Sequence, residues 1–576
     1  MIIMNLYVYT NKVGQTFYYV KNSYRDKNGR STSKIVEKLG THDELLKSHS
    51  DPLAWAREYV AELNRKDKEQ RLPVNLSCAP SNLIPQDQDC LYHGGYLFLQ
   101  DIFYSLGLNK ICSEISKRHS FRYNLIDILA KLIYGRILFP TSKAGTYEES
   151  QKLMEKPRFS QHDIYRALEV LSEESDFIQS ELYKNSGKTM KRNDGILYYD
   201  CTNYFFEIEE EKGIRKYGMS KEHRPNPIVQ MGMFIDGDGI PMAFSVFSGN
   251  ENEQGSLKPL EQKIIKDFDK AKFIVCTDAG LSGMANRRFN SIHNRSFITA
   301  QSIKKMKDFQ KKWALASHGW HIVGDKRVYN LDEILTDEVL YAKYHDATFY
   351  KETWWNEDGL EQRYIVTYSI KYMEYLRNIR EKQLQRAQKK LERGDVGRKG
   401  QNDPERFYEQ LYFTMDGEIA GESATVIDME KIRNEEQYDG FYCVATDLED
   451  DAALILKANA RRWEIEESFR IMKTDFRSRP VYLQRDDRIA AHFLTCFLAL
   501  FVYRVLEKRL NERFTTTEIL KTLREYKLYR IEGEGWLPCY KRTKITDALH
   551  EAFGFRTDYQ INTNSMMKKI FHSTKI

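Results

Sequence analysis

Short apolar runs alternate with amphipathic ones between residues 195 and 299, and their order limits the folds that this chain can adopt. Three runs rich in aromatic and β-branched residues come first and predict a meander of strands, at 196–207, 228–235 and 241–247. The next segments predict a helix at 256–268, a strand at 271–277, a short helix at 284–291 and a strand at 296–299. This order predicts an α/β fold for the middle of the chain.

Two of these predicted strands carry an aspartate. Asp200 lies within the first strand, where aromatic and β-branched neighbours favour burial, and an acid in a buried strand requires a reason. Asp278 follows the apolar run 273–277 and precedes a glycine turn. The carboxyl end of a strand is a usual place for a functional site in an α/β fold. Each aspartate taken alone could also be a capping or turn residue.

The segment 459–473 predicts a helix with a charged edge beside a buried face. At 100° per residue, one narrow apolar stripe contains Ile465, Phe469, Met472 and Phe476. Arg462, Glu466 and Lys473 fall together beside that stripe, so that one carboxylate lies between two cations. The alternative is an ordinary Arg–Glu pair on a solvated helix.

Together the three acids fit one arrangement. In an RNase-H-like fold one acid lies on the first strand, one follows the fourth strand and one lies on a late helix; Asp200, Asp278 and Glu466 have these places. Converged carboxylates repel one another unless divalent cations neutralise them. Two Mg²⁺ ions about 4 Å apart, for which Mn²⁺ can substitute, would activate a water or a 3′-hydroxyl and stabilise the leaving oxygen. We therefore expect these three residues to be the catalytic residues and the metal ligands.

Further motifs accompany the acids. They are Tyr199-Asp-Cys-Thr202, Tyr217–Asn226 with Gln230 and Gly232, Gly249-Asn250, Thr277-Asp-Ala-Gly280 and Arg479-Pro-Val-Tyr482. With them, the chain resembles bacterial insertion-sequence transposases of the DDE class, in the branch with the signature Tyr-x2-Arg-x3-Glu-x6-Lys. Arg462, Glu466 and Lys473 match that signature, whereas Asn459 stands in place of its tyrosine. The branch also carries a β-rich insertion between the second and third acids, which fits the 188-residue gap here.

The resemblance implies a function that spacing cannot show. Such enzymes bind the terminal inverted repeats of double-stranded DNA as homodimers, cut the ends with Mg²⁺ and join the 3′-hydroxyls to target DNA. Several relatives free the second strand through a DNA hairpin. Two alternatives remain open: an RNase-H-like nuclease without strand transfer, and a non-catalytic DNA-binding derivative of a transposase. The intact set of three acids argues against the second alternative.

Several residues outside the acids are candidates for DNA contacts, together with Arg462 and Lys473. Lys304 and Lys305 begin a lysine cluster that could line DNA phosphates, and His223 and Arg224 lie near the first acid in sequence. Trp354 could stack on an unpaired base. The alternatives are a solvated charged face for the lysines, a loop-fixing role for His223, and core packing for Trp354 or its neighbour Trp355.

The predicted fold class is α/β, with an RNase-H-like catalytic core interrupted by a β-rich insertion and preceded by N-terminal β-hairpin and helical domains. The predicted regions are an N-terminal hairpin and helix (1–70), a helical, DNA-binding domain (71–190), the first part of the core (191–301), the insertion with a long charged helix (302–445), the second part of the core (446–510) and a C-terminal helical region (511–576). Within them, the sequence predicts a turn at 26–29, a helix that Asp51 caps and that ends in a charged linker at 64–71, one helix over 161–182 and an exposed loop at 395–400.

The cellular setting can be predicted from composition and from the start of the chain. No segment approaches the roughly 18 apolar residues of a membrane span, and the run 493–502 is typical of a buried helix. No signal peptide is recognisable at the start. Eight cysteines without CxxC spacing argue against a zinc site. We expect no membrane partner and a location in the bacterial cytoplasm, at the nucleoid.

Overall fold

The computed structural model describes residues 3–11, 14–25, 31–69, 81, 83, 86, 89–393, 404–413 and 422–576. The predicted turn at 26–29 and the predicted loop at 395–400 lie outside the described residues. The chain forms two compact units. The first comprises residues 1–92, 528–540 and 556–571, and the second comprises residues 93–527, 541–555 and 572–576.

The first unit contains an N-terminal antiparallel sheet. Its strands are β1 (Ile3–Thr10), β2 (Thr16–Arg25) and β3 (Ser31–Thr41), followed by α1 (His42–Leu46) and α2 (Pro52–Glu69). The predicted hairpin is confirmed, and β1 adds a strand that was not predicted. Asp51 caps α2 as predicted, because its carboxylate accepts the backbone N–H groups of Leu53 and Ala54 at 3.0 Å. The helix continues through 64–69, where a linker was predicted.

The second unit begins with six helices, in the region predicted to be helical. After the short strand β4 (Leu91–His93) come α3 (Tyr96–Ser105), α4 (Leu108–Arg118), α5 (Leu125–Leu138), α6 (Lys143–Ser150), α7 (Gln161–Glu173) and α8 (Ser175–Thr189). The single helix predicted over 161–182 is thus two helices, because the backbone of Glu174 leaves the helical region with φ −93° and ψ 8°.

The predicted strand meander and the alternating elements after it are all present. They are β5 (Ile196–Phe205), β6 (Ile228–Asp236), β7 (Pro241–Ser248), α9 (Glu253–Asp267), β8 (Ile274–Thr277), α10 (Met284–Asn290) and β9 (Ser296–Ala300). The strand order in the sheet is β7-β6-β5-β8-β9. Strand β5 pairs antiparallel with β6 but parallel with β8, and β8 pairs parallel with β9.

The inserted region extends this sheet. Its elements are α11 (Asp308–Leu315), β10 (His321–Ile322), α12 (Leu331–Thr336), α13 (Glu338–Tyr344), β11 (Phe349–Glu357), β12 (Leu360–Tyr368), α14 (Ile370–Glu392), β13 (Tyr408–Phe413), β14 (Glu422–Ile427), α15 (Met429–Glu436) and β15 (Phe441–Thr446), with 3₁₀ turns at 303–305 and 404–407. Strand β15 pairs with β9, so β10, β11, β12 and β15 make one nine-stranded sheet with the core. The insertion at 302–445 is rich in strands as predicted, and four of them join the sheet of the core: β15 satisfies the backbone groups at the open edge of β9, and β12, β11 and β10 follow outward in that order.

The chain then forms the elements α16 (Ala452–Ala460), α17 (Trp463–Arg470), a π-helical turn (Ile471–Asp475), α18 (Asp486–Arg509), α19 (Thr516–Glu525), β16 (Lys527–Ile531), β17 (Gly535–Pro538), α20 (Lys544–Phe553), β18 (Asn562–Thr563) and α21 (Asn564–Ser573). The C-terminal region, predicted to be helical, thus also contains three short strands. They pair in the order β18-β17-β16-β4.

Helix α18 is long and apolar enough to cross a membrane by length and composition, but 89% of its most apolar window is buried inside the protein. A core helix of a soluble protein passes the same test. Phe493 and Phe497 stack against Tyr204 and Phe244 of the sheet, with ring centroids 4.7 and 4.9 Å apart. The predicted buried helix is confirmed, and it extends beyond the apolar run 493–502 to 24 residues.

Candidate active site

Asp200 lies on β5, the strand that is paired with β6 on one side and β8 on the other. Both preceding tyrosines, Tyr198 and Tyr199, are buried, and Asp200 itself is half-buried. Its carboxylate accepts the backbone N–H of Cys201 at 2.7 Å. Burial raises the pKa of Asp200 to about 6; Lys221 opposes this rise, and the negative charge of Asp278 adds to it. The fold therefore places Asp200 where ionisation of its carboxyl group is energetically unfavourable.

Asp278 follows the last residue of β8. Parallel pairing matches Tyr198 of β5 with Cys276 of β8, and continuing that register by two residues brings Asp200 opposite Asp278. Adjacent strands lie about 4.8 Å apart. The carboxylate of Asp278 also accepts the backbone N–H of Leu281 at 3.0 Å, which fixes the turn after β8. Asp200, in the middle of β5, and Asp278, just past the end of β8, thus lie next to each other on neighbouring parallel strands.

Glu466 lies on α17. The predicted continuous helix is broken: α16 ends at Ala460, and α17 begins at Trp463. Within α17 the predicted apolar stripe is confirmed, since Ile465 is fully buried and Phe469 is nearly so. The carboxylate of Glu466 is exposed and forms a 3.3 Å ion pair with Arg462.

Arg462 links Glu466 to the aspartates. Its positive charge is one of the influences that lower the pKa of Asp200. Among the described residues, however, the oxygens of Asp200, Asp278 and Glu466 do not all lie within 4.8 Å of one another. The aspartates lie on neighbouring strands, and Glu466 is separated from them by its ion pair with Arg462.

Lys221 is a site residue that sequence reasoning missed. Its ammonium donates to the backbone carbonyl of Cys201 at 2.6 Å and forms a 3.0 Å ion pair with Glu253. Burial opposes its charge, but Asp200 and Glu253 more than offset this and raise its pKa. Lys221 lies inside the motif 217–226, where reasoning from the sequence selected His223 and Arg224 instead. Lys221 therefore provides a positive charge next to Asp200.

Lys473 does not pair with Glu466, although a regular helix predicts that both lie on one face. The π-helical turn Ile471–Asp475 shifts the side-chain register after α17. Lys473 instead lies 3.5 Å from Glu222, which also pairs with Arg479. Burial, together with the positive charge of Lys221, lowers the pKa of Lys473 to about 8, although Asp200 opposes the shift.

We expect Lys473→Met to raise the free energy of unfolding at pH 7, by up to about 3 kcal/mol, because it removes a desolvated charge and leaves Arg479 paired with Glu222. Below about pH 8, Lys473 is charged in both the folded and the unfolded chain, so the difference in unfolding free energy between Lys473→Met and wild type has its largest value. It shrinks between pH 8 and 10.5, where only the unfolded chain keeps the proton. Denaturant unfolding at several pH values measures this. Lys457→Met, at an exposed lysine of α16, is the control; a pH-independent difference for Lys473→Met would contradict the expectation.

His223 and Arg224 lie in the loop between β5 and β6, and both are exposed. His223 has a positive φ of 55°, and its backbone N–H donates to the carbonyl of Ser220 at 3.1 Å. The guanidinium of Arg224 lies 4.1 Å from the ring centroid of Phe205, the last residue of β5. Arg224 therefore lies at the end of the strand that carries Asp200.

Lys304 and Lys305 form an exposed 3₁₀ turn after β9. Lys304 lines a cleft of about 440 Å³. Ala279, the residue after Asp278, lines the same cleft. The other residues that line it are Ala300, Gln301, Ser302, Ile303, Leu376, Ile379, Arg380, Gln383, Arg406, Glu435, Tyr438, Asp439, Phe441, Tyr442 and Cys443. We call this space the α14 cleft. The α14 cleft is therefore lined both by the residue that follows Asp278 and by the long charged helix α14 of the insertion.

Trp354 lies away from the aspartates. Four strand positions separate its strand β11 from β8, which is about 19 Å at the usual spacing. Its side chain is 40% exposed and lines a pocket whose other residues are Glu352, Glu361, Arg363, Asp447 and Glu449. Trp355 instead packs against Trp313 with ring centroids 5.0 Å apart, so the predicted core role is confirmed for one of the two tryptophans.

Asn459, at the place of the signature tyrosine, is buried at the end of α16. Its side-chain amide donates to the hydroxyl oxygen of Tyr442 at 3.0 Å. Its carbonyl oxygen lies 3.9 Å from the sulfur of Cys276 on β8. Asn459 therefore joins the signature region to β15 and to the strand that leads to Asp278.

Comparisons with known proteins identify the family of the chain. A family model described as "Transposase DDE domain" matches residues 204–502, which include Asp278 and Glu466; Asp200 lies four residues before the match. One similar solved structure is the cryo-EM structure of the piggyBac transposase synaptic complex with hairpin DNA, with a TM-score of 0.35 and 7% identity over 83% of this chain and 85% of that chain. No curated protein matches the chain. Because the family model covers more than half of its length, the chain belongs to the DDE transposases.

Proposed function

We propose that this chain catalyses cut-and-paste transposition of an insertion sequence. It would bind the terminal inverted repeats, cleave the DNA at the ends and join the 3′-hydroxyls to target DNA. The catalytic core would be RNase-H-like, built from residues 191–301 and 446–510. The observation that carries the proposal is the parallel pairing of β5 with β8, which brings Asp200 and Asp278 together on neighbouring strands, while Arg462 acts on Asp200 and pairs with Glu466.

The chemistry of these residues fits a divalent cation. Asp200 and Asp278 are two half-buried carboxylates, and the charge of one opposes ionisation of the other, a cost that a bound cation removes. Mg²⁺ prefers such oxygen ligands, and Mn²⁺ accepts them too. Two ions held by Asp200, Asp278 and Glu466 would supply activation of the attacking water or 3′-hydroxyl.

The surrounding cations suit a DNA backbone. When Glu466 serves as a ligand, Arg462 loses its ion-pair partner and can pair with a phosphate through two parallel N–H groups. The positive charge of Lys221 partly neutralises the aspartates, since it lowers the pKa of Asp200. Lys304 and Lys305 would follow the phosphates along the α14 cleft, and His223 and Arg224 would contact them near β5.

Trp354 is left out of the proposed DNA surface. The carboxylates of Glu352, Glu361 and Glu449 share its pocket and would repel phosphates. The partners proposed are double-stranded DNA, as terminal repeats and as target, and a second copy of the chain in the DNA complex. Because this DNA is chromosomal, the enzyme would act in the bacterial cytoplasm, at the nucleoid.

Joining of a precut 3′-end to plasmid DNA tests this function. The substrate is a duplex that carries the inverted repeat flanking the gene and ends at its 3′-hydroxyl. We expect joined products with Mg²⁺ and with Mn²⁺, and none with EDTA or with Asp278→Asn. Nicked plasmid without joined ends would indicate the nuclease alternative. Binding to the repeat with neither nicking nor joining would indicate a non-catalytic derivative.

A further inference from the structure

Tyr442 lines the α14 cleft. It lies on β15, next to the strand β9, and is half-buried. The same cleft is lined by Ala279, the residue after Asp278. The positive charge of Arg462 also acts on the Tyr442 hydroxyl. The phenol is thus close to the residues that the proposed function assigns to cleavage, although it belongs to the inserted region.

The hydrogen bond from Asn459 determines what this phenol can do. Because the Asn459 amide donates to the hydroxyl oxygen, that bond does not consume the proton of the Tyr442 hydroxyl. The phenol can therefore donate to an acceptor in the cleft. Burial raises its pKa, although Asn459 and Arg462 oppose the rise, so the hydroxyl keeps its proton at neutral pH. A neutral donor of this kind suits an anionic oxygen.

We propose that Tyr442 contacts the DNA phosphate next to the site of cleavage, and that Asn459 positions its hydroxyl to donate to a phosphate oxygen. This inference rests on the proposed function, since it assumes that the two aspartates act on DNA. It also gives a role to Asn459, the position at which the chain departs from its signature: the asparagine holds a tyrosine supplied by another strand of the sheet.

The principal test is Tyr442→Phe, which removes the hydroxyl and keeps the ring. The rate of Mg²⁺-dependent cleavage at saturating terminal-repeat DNA is measured. We expect it to fall about 10- to 100-fold, the usual effect of losing one hydrogen bond to a charged group. The affinity for uncut DNA should change little, and the melting temperature should fall by a few degrees because the buried Asn459 amide loses its acceptor. The matched control is Tyr438→Phe, since Tyr438 is also half-buried and lines the same cleft. Its cleavage rate should remain within about twofold of wild type.

A second variant changes the partner and leaves Tyr442 in place. Asn459→Asp replaces the donating amide with a carboxylate, which would accept the phenol proton and divert it from DNA. We expect a loss of rate similar to that of Tyr442→Phe, and the double variant should be no slower than either single variant, because one interaction is lost in all three. Independent, multiplying losses would show that Asn459 does not act through Tyr442.

The outcomes separate this inference from the proposed function. If wild type cleaves and Tyr442→Phe cleaves equally fast, the phosphate contact is refuted and the transposase assignment stands. If Tyr442→Phe and Tyr438→Phe lose rate equally, the cleft has only a general role and the inference is refuted. If wild type neither cleaves nor joins DNA, the proposed function fails, and with it the basis of this inference.

Discussion

Asp200→Asn and Asp278→Asn should each abolish DNA cleavage, lowering its rate by at least about 10³-fold, and should leave binding to the terminal repeats intact. Each change removes the charge that would hold a divalent cation and keeps nearly the same side-chain shape. In the second variant the amide oxygen of the new side chain should accept the N–H of Leu281 as the carboxylate of Asp278 does, so the turn after β8 persists. Cleavage of a labelled repeat duplex and a gel-shift assay measure the two properties.

Asp447→Asn is the matched control for these variants. Burial raises the pKa of Asp447 to about 6, as it does for Asp200, and its carboxylate accepts the backbone N–H of Phe297 at 2.9 Å. Asp447 follows β15, which runs antiparallel to β9, so it lies at the opposite edge of the sheet. Its substitution should leave cleavage within a few-fold of wild type. Near-normal cleavage by Asp200→Asn or Asp278→Asn would show that the substituted aspartate is not a ligand.

Glu466→Gln should have a similarly large effect on cleavage, about 10³-fold, without affecting the fold. The Glu466 side chain is 57% exposed and its pair with Arg462 is solvated, so breaking the pair should cost at most about 1 kcal/mol of stability. The experiment combines thermal unfolding with single-turnover cleavage in Mg²⁺.

Glu467→Gln offers a control on the same helix. Glu467 pairs with Arg470 at 2.6 Å, an interaction of the same kind one residue further along α17. Its loss should lower the melting temperature as little as Glu466→Gln does and should not slow cleavage. If Glu466→Gln and Glu467→Gln both cleave at a rate near that of wild type, α17 is only a charged surface helix and Glu466 has no catalytic role.

The core was predictable from the sequence because its signals are local. Asp200 and Asp278 each sit in or beside a short apolar run, and the strands β5 and β8 follow directly from those runs. Their parallel pairing follows from the elements between them: the meander makes β7 parallel to β5, and the crossover through α9 makes β8 parallel to β7. The expectation that the acids converge came from the order of these segments, which is that of an RNase-H-like fold.

The extension of the sheet was not predictable in the same way. Strand β15 reads as an ordinary strand over 441–446, but nothing near it in sequence specifies pairing with β9, about 140 residues earlier. Strand partners at such a distance are selected by the whole fold. For the same reason the role of Tyr442 beside Ala279 could not be anticipated, because the two residues meet only once the insertion joins the sheet.

Two smaller differences between the sequence analysis and the structure have local physical causes. A constant 3.6 residues per turn predicts that Lys473 lies beside Glu466. The π-helical turn at 471–475 changes that periodicity, so the two side chains do not share a face. Within the motif 217–226, charge alone could not distinguish Lys221 from His223 and Arg224. Only the fold shows that the Lys221 ammonium turns back to the carbonyl of Cys201, next to Asp200.

Anomalous X-ray diffraction from crystals of the full chain with terminal-repeat DNA and Mn²⁺ tests the central claim most directly. We predict manganese peaks bound by carboxylate oxygens of Asp200 and Asp278, with Glu466 turned from Arg462 to complete the site and the scissile phosphate next to the ions. The peaks should disappear in crystals of Asp278→Asn. Manganese bound elsewhere while DNA occupies the complex, with no ion between Asp200 and Asp278, would contradict the account.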